Sequence, residues 1–406
     1  MTTVAAAPVE LDAGTAPRFP ALDAMRAIGA LAVLTTHVAF WSGDYGRHGF
    51  WGVTLARLDV GVALFFVLSG FLLSRPYLAR SAAALPRPST RAYLWRRFLR
   101  IVPVYVVTVV VALAFIDENS HLGAREWLTT LTMTNTFVDA LPPGGLSHMW
   151  SLAVEVSFYL VLPLLMLLAA GRRGLRPARV GLVLAGMTAV TVWWHLQGSD
   201  WAEEWTGGAP AQWLPGYLTW FAAGIGLALT HVLAVRGAPH ARRVLSVGRQ
   251  PGACWAIAAA LLLVASTPLA GPALLIAPTT AESLTKNLLY TAVGLLVVLP
   301  AVVADDRGAF ARVLGHPAAR RLGLTSYSLF ALHLPVLHLV MWLTGWQLFG
   351  GHGVLLWLIT LAGSLVVAEL GYRLLEVPAM RLKRLVPAGR EEPTAATTAA
   401  SGTTAR

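Results

Sequence analysis

The chain has 406 residues, 56% of them hydrophobic and 13% charged, with a mean hydropathy of +0.63, which excludes an ordinary water-soluble domain. A formal net charge of +11 would suit a nucleic-acid binder. The basic residues alternate by loop instead of gathering on one segment, which argues against nucleic acid and makes the lipid bilayer the partner.

Residues 1–17, rich in Ala, Pro and Thr, read as a disordered tail. Ten apolar runs follow, at 21–41, 59–79, 98–116, 148–170, 179–196, 212–234, 252–268, 284–304, 322–346 and 353–376. Each is taken as a helix, because about 20 helical residues cross a hydrocarbon core of about 30 Å with every backbone group paired inside the segment. The expected fold is all-α, a polytopic membrane domain over 18–387 with about ten transmembrane helices, closed by a second disordered tail over 388–406. The first run carries Asp23 and Arg26 and so reads as a retained helix, not a cleaved signal peptide. The longest outer loop, 117–147, ends on a PPGG turn and suits a short interfacial or re-entrant segment. No internal repeat stands out. The lone Cys254 excludes an intrachain disulfide and a thiol cluster, and reads as a small buried residue. No metal or bound cofactor is expected.

One set of loops holds Arg75, Arg80, Arg87, Arg91, Arg96, Arg97 and Arg100, then Arg172, Arg173, Arg176 and Arg179, then Arg236, Arg242, Arg243 and Arg249, then Arg307, Arg312, Arg320 and Arg321, and finally Arg381, Lys383, Arg384 and Arg390. The opposite loops hold only Arg47, Arg57, Arg125 and Lys286. This bias places both termini in the cytoplasm, with an even number of crossings of the cell inner (plasma) membrane.

Ionisable residues inside such helices are costly and nominate the functional site. Arg26 and His37 are eleven positions apart, about 1100° of helix rotation, so they share a face, and the rise between them is about 16 Å. That spacing suits a ligand anionic at one end and reactive at the other. The alternative is that Arg26 snorkels to the interface beside Asp23 while His37 packs in a polar pocket. The R-R-F-L-R string at Arg96, Arg97 and Arg100 opens the third run; arginine forks suit phosphates, though such clusters also serve as topology signals and headgroup contacts. Glu155 stands in an apolar run behind His148, Trp150 and Ser151 and needs a partner: it could orient a histidine, bind a substrate hydroxyl, or simply be neutral and hydrogen-bonded within the bundle. Ser69 and Gly70 read first as small packing residues, since Ser69 lacks a nucleophile elbow. Tyr327, His333 and His338 lie together in the ninth run, where His333 is the weaker site candidate. Glu369, Arg373 and Glu376 have ion-pair spacing. His195 and Asp200 form an isolated H-x-x-x-x-D that reads as chance.

Six strings in order, LDAMRAIGALAVLTTH, GVALFFVLSGFLLS, RRFLRIVPVY, HMWSLAVEVSFYLVLPLL, LGLTSYSLFALHLPVL and LLEVPAMRL, carry a resemblance to the membrane acyltransferase 3 family, whose members include bacterial polysaccharide O-acetyltransferases and macrolide O-acyltransferases. The resemblance implies that Arg26 and His37 are the family's essential pair, that Arg96, Arg97 and Arg100 match its basic motif, and that Glu155 and Ser69 matter. It implies acyl-CoA, acetyl-CoA above all, as co-substrate and a hydroxyl-bearing glycan or small molecule as acceptor, with His37 acting as general base or itself carrying the acyl group. EVPAM replaces the family's usual glutamate, lysine, proline and aromatic. The hydrolase-like domain fused to some polysaccharide-modifying members does not follow, which turns the expected acceptor toward a small-molecule or sugar hydroxyl. A transporter of a lipid or anionic metabolite is the competing class, which the lack of repeats disfavours.

Overall fold

The computed structural model describes residues 19–386 apart from 140, 171–173, 274–275 and 305–307. Both expected tails, and Arg172, Arg173, Arg307 and Arg390 of the basic loops, lie outside these residues. The described residues form helices and no strand. The main helices are α1 (Pro20–Ser42), α2 (Gly61–Ala82), α3 (Thr90–Phe115), α4 (Trp150–Ala170), α5 (Pro177–Trp193), α6 (Leu218–Val235), α7 (Pro251–Ala265), α8 (Thr280–Val303), α9 (Pro317–Thr344) and α10 (Gly353–Gly371). Among the described residues nine helical stretches are long and apolar enough to cross a bilayer, or ten if the bent pair Pro239–Val247 and Pro251–Ala265 is one span, and the fold is that of a polytopic all-α membrane protein, as expected.

The seventh run departs from expectation. Helix α7 has only 15 residues, about 22 Å of rise, and meets the preceding helix Pro239–Val247 at a bend of 68°. Pro251, which fixes the first turn of α7, sets the break. Helix α3 departs in the other direction. It begins at Thr90, where Ser89 Oγ accepts from the Ala92 N–H at 3.3 Å, so Arg96, Arg97 and Arg100 lie within the helix and do not open it. An apolar run marks only the lipid-facing length of a helix, and α3 extends past it by two polar turns. In the outer loop, the short helices Ala124–Leu131 and Asn135–Val138 precede the PPGG turn, and Tyr105 of α3 donates to the Thr130 carbonyl.

Hydrocarbon offers no hydrophobic drive between helices, so the bundle closes on small residues. A methyl group on Gly70 of α2 would lie 2.3 Å from the Phe221 carbonyl oxygen of α6, and one on Gly224 would lie 2.1 Å from that of Val67. Helix α1 approaches α9 as closely, since a Cβ on Gly323 would meet the Asp23 carbonyl at 2.2 Å. Helices α1, α2, α3, α4 and α9 thereby enclose a common interior, with α7 and α8 packed together outside it.

The four cations on the sparsely charged face are all engaged. Arg57 is buried and donates to the carbonyls of Ala265, Ala270 and Gly271 beyond the end of α7. Lys286 pairs with Asp59 at 2.6 Å, Arg125 with Asp139 at 3.2 Å, and Arg47 donates to the Phe349 carbonyl.

Candidate active site

The interior enclosed by these helices is a chamber of about 450 Å³. Its polar wall is set by Arg26 of α1, Ser69 of α2, Arg97 and Arg100 of α3, Glu155 of α4 and Tyr327 of α9. Each is among the residues singled out in the sequence, and α9 joins the first four helices from the far end of the chain. Arg97 and Arg100 are three residues apart and leave α3 within about 60° of each other, whereas Arg96 leaves it about 100° from Arg97. Arg96 accordingly does not line the chamber. Nor does Trp150, which packs on Tyr217 with ring centroids 5.0 Å apart.

The three guanidiniums differ in their partners. Arg26 is held by Asp23 at 2.8 Å. Arg100 pairs with Glu376, a carboxylate only 1% exposed that also accepts from Ser328 Oγ at 2.6 Å. Arg97 lies over the Tyr159 ring, 5.7 Å from its centroid, and its buried Nε has no hydrogen-bond partner. Arg97 is thus the cation left over for a ligand. Glu155 accepts through the same carboxylate oxygen from Ser69 Oγ and from Tyr159 OH, the latter at 2.6 Å. Ser69 is consequently a carboxylate partner, while its neighbour Gly70 serves the close packing.

Glu376 also corrects the expected ion-pair ladder on the last helix. Arg373 does bind Glu369, at 2.5 Å, and Glu369 is shared with Arg321, but Glu376 is absent from this group. Residues Tyr372–Glu376 form a π-turn that continues α10 into Val377–Arg381. The wider turn rotates Glu376 away from its helical register and into the bundle. His195 and Asp200 do not meet; His195 contacts the Gly216 carbonyl, and Asp200 accepts from Ser199.

His37 does not line the chamber. Phe65 and Phe330, with ring centroids 5.7 Å apart, form the wall on that side, and beyond Phe330 lie three histidines. His333, 0% exposed, places Nε2 3.1 Å from His37 Nδ1, and His148, 2% exposed, stacks edge-on against His333 with centroids 4.7 Å apart. A carbonyl oxygen only accepts, so hydrogen bonds to carbonyls fix the neutral tautomers. His333 Nδ1 lies 2.7 Å from the Phe330 carbonyl and carries the proton, leaving its Nε2 as an acceptor. His37 Nδ1, 2.8 Å from the Val33 carbonyl, carries its own proton and shares it between that oxygen and His333 Nε2. The lone pair of His37 is thereby left on Nε2, which has no partner among the described residues. His148 bonds the Ala331 carbonyl through Nε2 at 3.1 Å, and its Nδ1 is buried without a partner.

Sequence reasoning missed Tyr159, although its i+4 spacing from Glu155 was available as a signal. It treated His148 only as a residue ahead of a helix; no local pattern ties it to residues 183 positions away. Among the described residues no group of three His, Cys, Asp or Glu is placed to hold a metal ion.

A chamber inside the helix bundle with an arginine free of ion pairs, and a histidine cluster behind its Phe330 wall, are features that a group-transfer enzyme of the membrane would use. A family model described as an acyltransferase domain matches residues 19–373, and the chain belongs to that family, acyltransferase 3. It is a multi-pass membrane acyltransferase. Nodulation protein 10 of Rhizobium leguminosarum bv. viciae is 26% identical over 91% of this chain and 95% of its own length. Peptidoglycan O-acetyltransferase OatA of Listeria monocytogenes is 28% identical over 36% of this chain and 24% of its own length. Acyltransferase MdmB of Streptomyces mycarofaciens is 28% identical over 36% and 39%. No solved structure matches the chain.

Proposed function

We propose that the chain is an O-acyltransferase of the cell membrane that moves a short acyl group, acetyl in the simplest case, from the thioester of coenzyme A to a hydroxyl of a sugar-bearing small molecule or glycan. The donor half of this reading is supported by Arg97, whose buried Nε has no hydrogen-bond partner, beside Arg26 and Arg100: a chamber lined by three arginines draws in a donor that carries negative charge. The acceptor half is supported by the relatives whose names specify O-acetylation of peptidoglycan.

The observation that carries the reading is the tautomer of His37. With its proton held on Nδ1 by Val33 and His333, Nε2 is ready to accept another. The acceptor O–H gives its proton to His37 Nε2 as its oxygen bonds to the thioester carbonyl carbon. The C–S bond then breaks, and the departing sulfur takes the proton back from His37 to leave as the thiol. The products are an ester and free coenzyme A, and His37 returns to its starting state. While the ring is cationic, the Val33 carbonyl and His333 Nε2 hold its Nδ1–H. Phe65 and Phe330 must part for the thioester to reach this nitrogen.

The test uses membranes containing wild type or His37→Gln at equal expression, supplied with radiolabelled acyl-CoA and extracted host glycans and metabolites. The base role predicts transfer reduced about 10²- to 10⁴-fold in the variant. Transfer by the variant at the wild-type rate overturns it. Label trapped covalently on wild type without acceptor, and lost in the variant, would replace the base with an acyl-histidine.

A further inference from the structure

A second cavity, of about 630 Å³, adjoins the chamber at the arginine-rich end of the bundle. Arg381, Lys383 and Arg384 stand on its wall with Tyr372, and Arg100 and Met380 belong to both cavities. The ion pair of Arg100 with Glu376 therefore sits where one space passes into the other. Arg381, Lys383 and Arg384 are exposed and have no ion pair or hydrogen bond among the described residues. Yet the turn that carries Lys383 and Arg384, Leu382–Leu385, which directly follows Arg381, is anchored, because Trp95 of α3 donates its indole N–H to the Leu382 carbonyl at 3.0 Å. Trp95 is itself stacked on Phe98, with ring planes 8° apart. A fixed turn with three uncommitted cations above an enclosed chamber is the electrostatic form of a polyanion site.

The geometry points to this outer cavity as the site for the phosphorylated nucleotide end of the donor, with Arg381, Lys383 and Arg384 on its phosphates and the uncharged thioester arm passing Met380 into the inner chamber. This rests on coenzyme A being the donor. The inner chamber, at about 450 Å³, is near the lower end of the roughly 300–1,000 Å³ typical of drug-sized ligands. It suits the arm alone. Arg97, deeper in, then meets the polar amides and thioester of the arm and not the phosphates, which moves the phosphates outward from the place the R-R-F-L-R string implied.

The experiment compares acetyl-CoA with acetyl-pantetheine, which carries the same thioester without the nucleotide, using wild type and a variant with Arg381→Gln, Lys383→Gln and Arg384→Gln. The expected result is a KM for acetyl-CoA raised about tenfold or more in the variant, with acetyl-pantetheine used equally by both proteins. Undiminished use of acetyl-pantetheine also shows that the variant is folded. An unchanged KM for acetyl-CoA overturns the assignment, as does a wild type that does not distinguish the two donors. A variant whose only loss is binding to phosphatidylglycerol vesicles would overturn it as well, and assign the cations to lipid phosphate. A wild type that accepts neither thioester refutes the donor reading itself, and the nucleotide site falls with it.

Discussion

Replacing His333 by phenylalanine removes the acceptor that His37 Nδ1–H meets at 3.1 Å while filling the same buried volume. The Val33 carbonyl, 2.8 Å from the same nitrogen, still holds the proton, so the tautomer of His37 survives. What is lost is one of two interactions that orient the ring and support its cationic form. A single hydrogen bond contributes about 0.5–1.5 kcal/mol, which places the expected fall in kcat between about twofold and tenfold, with KM for the donor unchanged. The assay is steady-state transfer with wild type, His333→Phe, His37→Gln and the double variant. If His333 acts through His37, it is a positioning residue, and its substitution adds nothing once His37 is gone. A double variant weaker than His37→Gln by the same factor that separates His333→Phe from wild type would refute the argument, as would a loss in His333→Phe as large as that in His37→Gln.

Phe330→Ala opens the wall between the chamber and the histidines. The expected outcome is faster hydrolysis of the thioester without acceptor, read as thiol release, and an unchanged rate would show that the wall does not exclude water. Gly224→Ala places a methyl group 2.1 Å from the Val67 carbonyl and must separate α2 from α6. It should destabilise the protein by about 1–3 kcal/mol, measured by thermal unfolding in detergent. Thr279 caps α8, accepting from the Glu282 N–H at 3.3 Å while Glu282 accepts from the Thr279 N–H at 2.7 Å. Thr279→Ala should cost about 1 kcal/mol in the same measurement and leave transfer unchanged.

Local patterns told most where the physics is local. A bilayer crossing needs a continuous apolar run, so helices at all ten expected places could be read directly, the seventh being shorter and bent, and the spacing of Arg26 and His37 put both on one face of α1. The Asp23 partner of Arg26 was legible for the same reason. The ends of the helices were less so, because Ser89 and Pro251 act through capping and backbone geometry that hydropathy does not register. Glu376 was misread because a π-turn breaks the 3.6-residue period on which its pairing with Arg373 depended. The histidine cluster could not be read at all as a cluster. His37, His148 and His333 come from three separate parts of the chain, and tertiary packing makes them neighbours: Gly323 lets α9 close on α1, and His148, in the turn before α4, bonds the Ala331 carbonyl of α9.

The four engaged cations on the sparsely charged face alter what the bilayer experiences. Arg57, Lys286, Arg125 and Arg47 are each spent on a carbonyl or carboxylate of the protein itself. Arg57 in particular is buried and serves the end of the short α7 and the turn after it, donating to the carbonyls of Ala265, Ala270 and Gly271. That face is left with little free positive charge, while the opposite rim keeps Arg381, Lys383 and Arg384 uncommitted. A bilayer around these helices therefore meets a molecule whose two rims differ more in uncommitted positive charge than a count of its arginines implies.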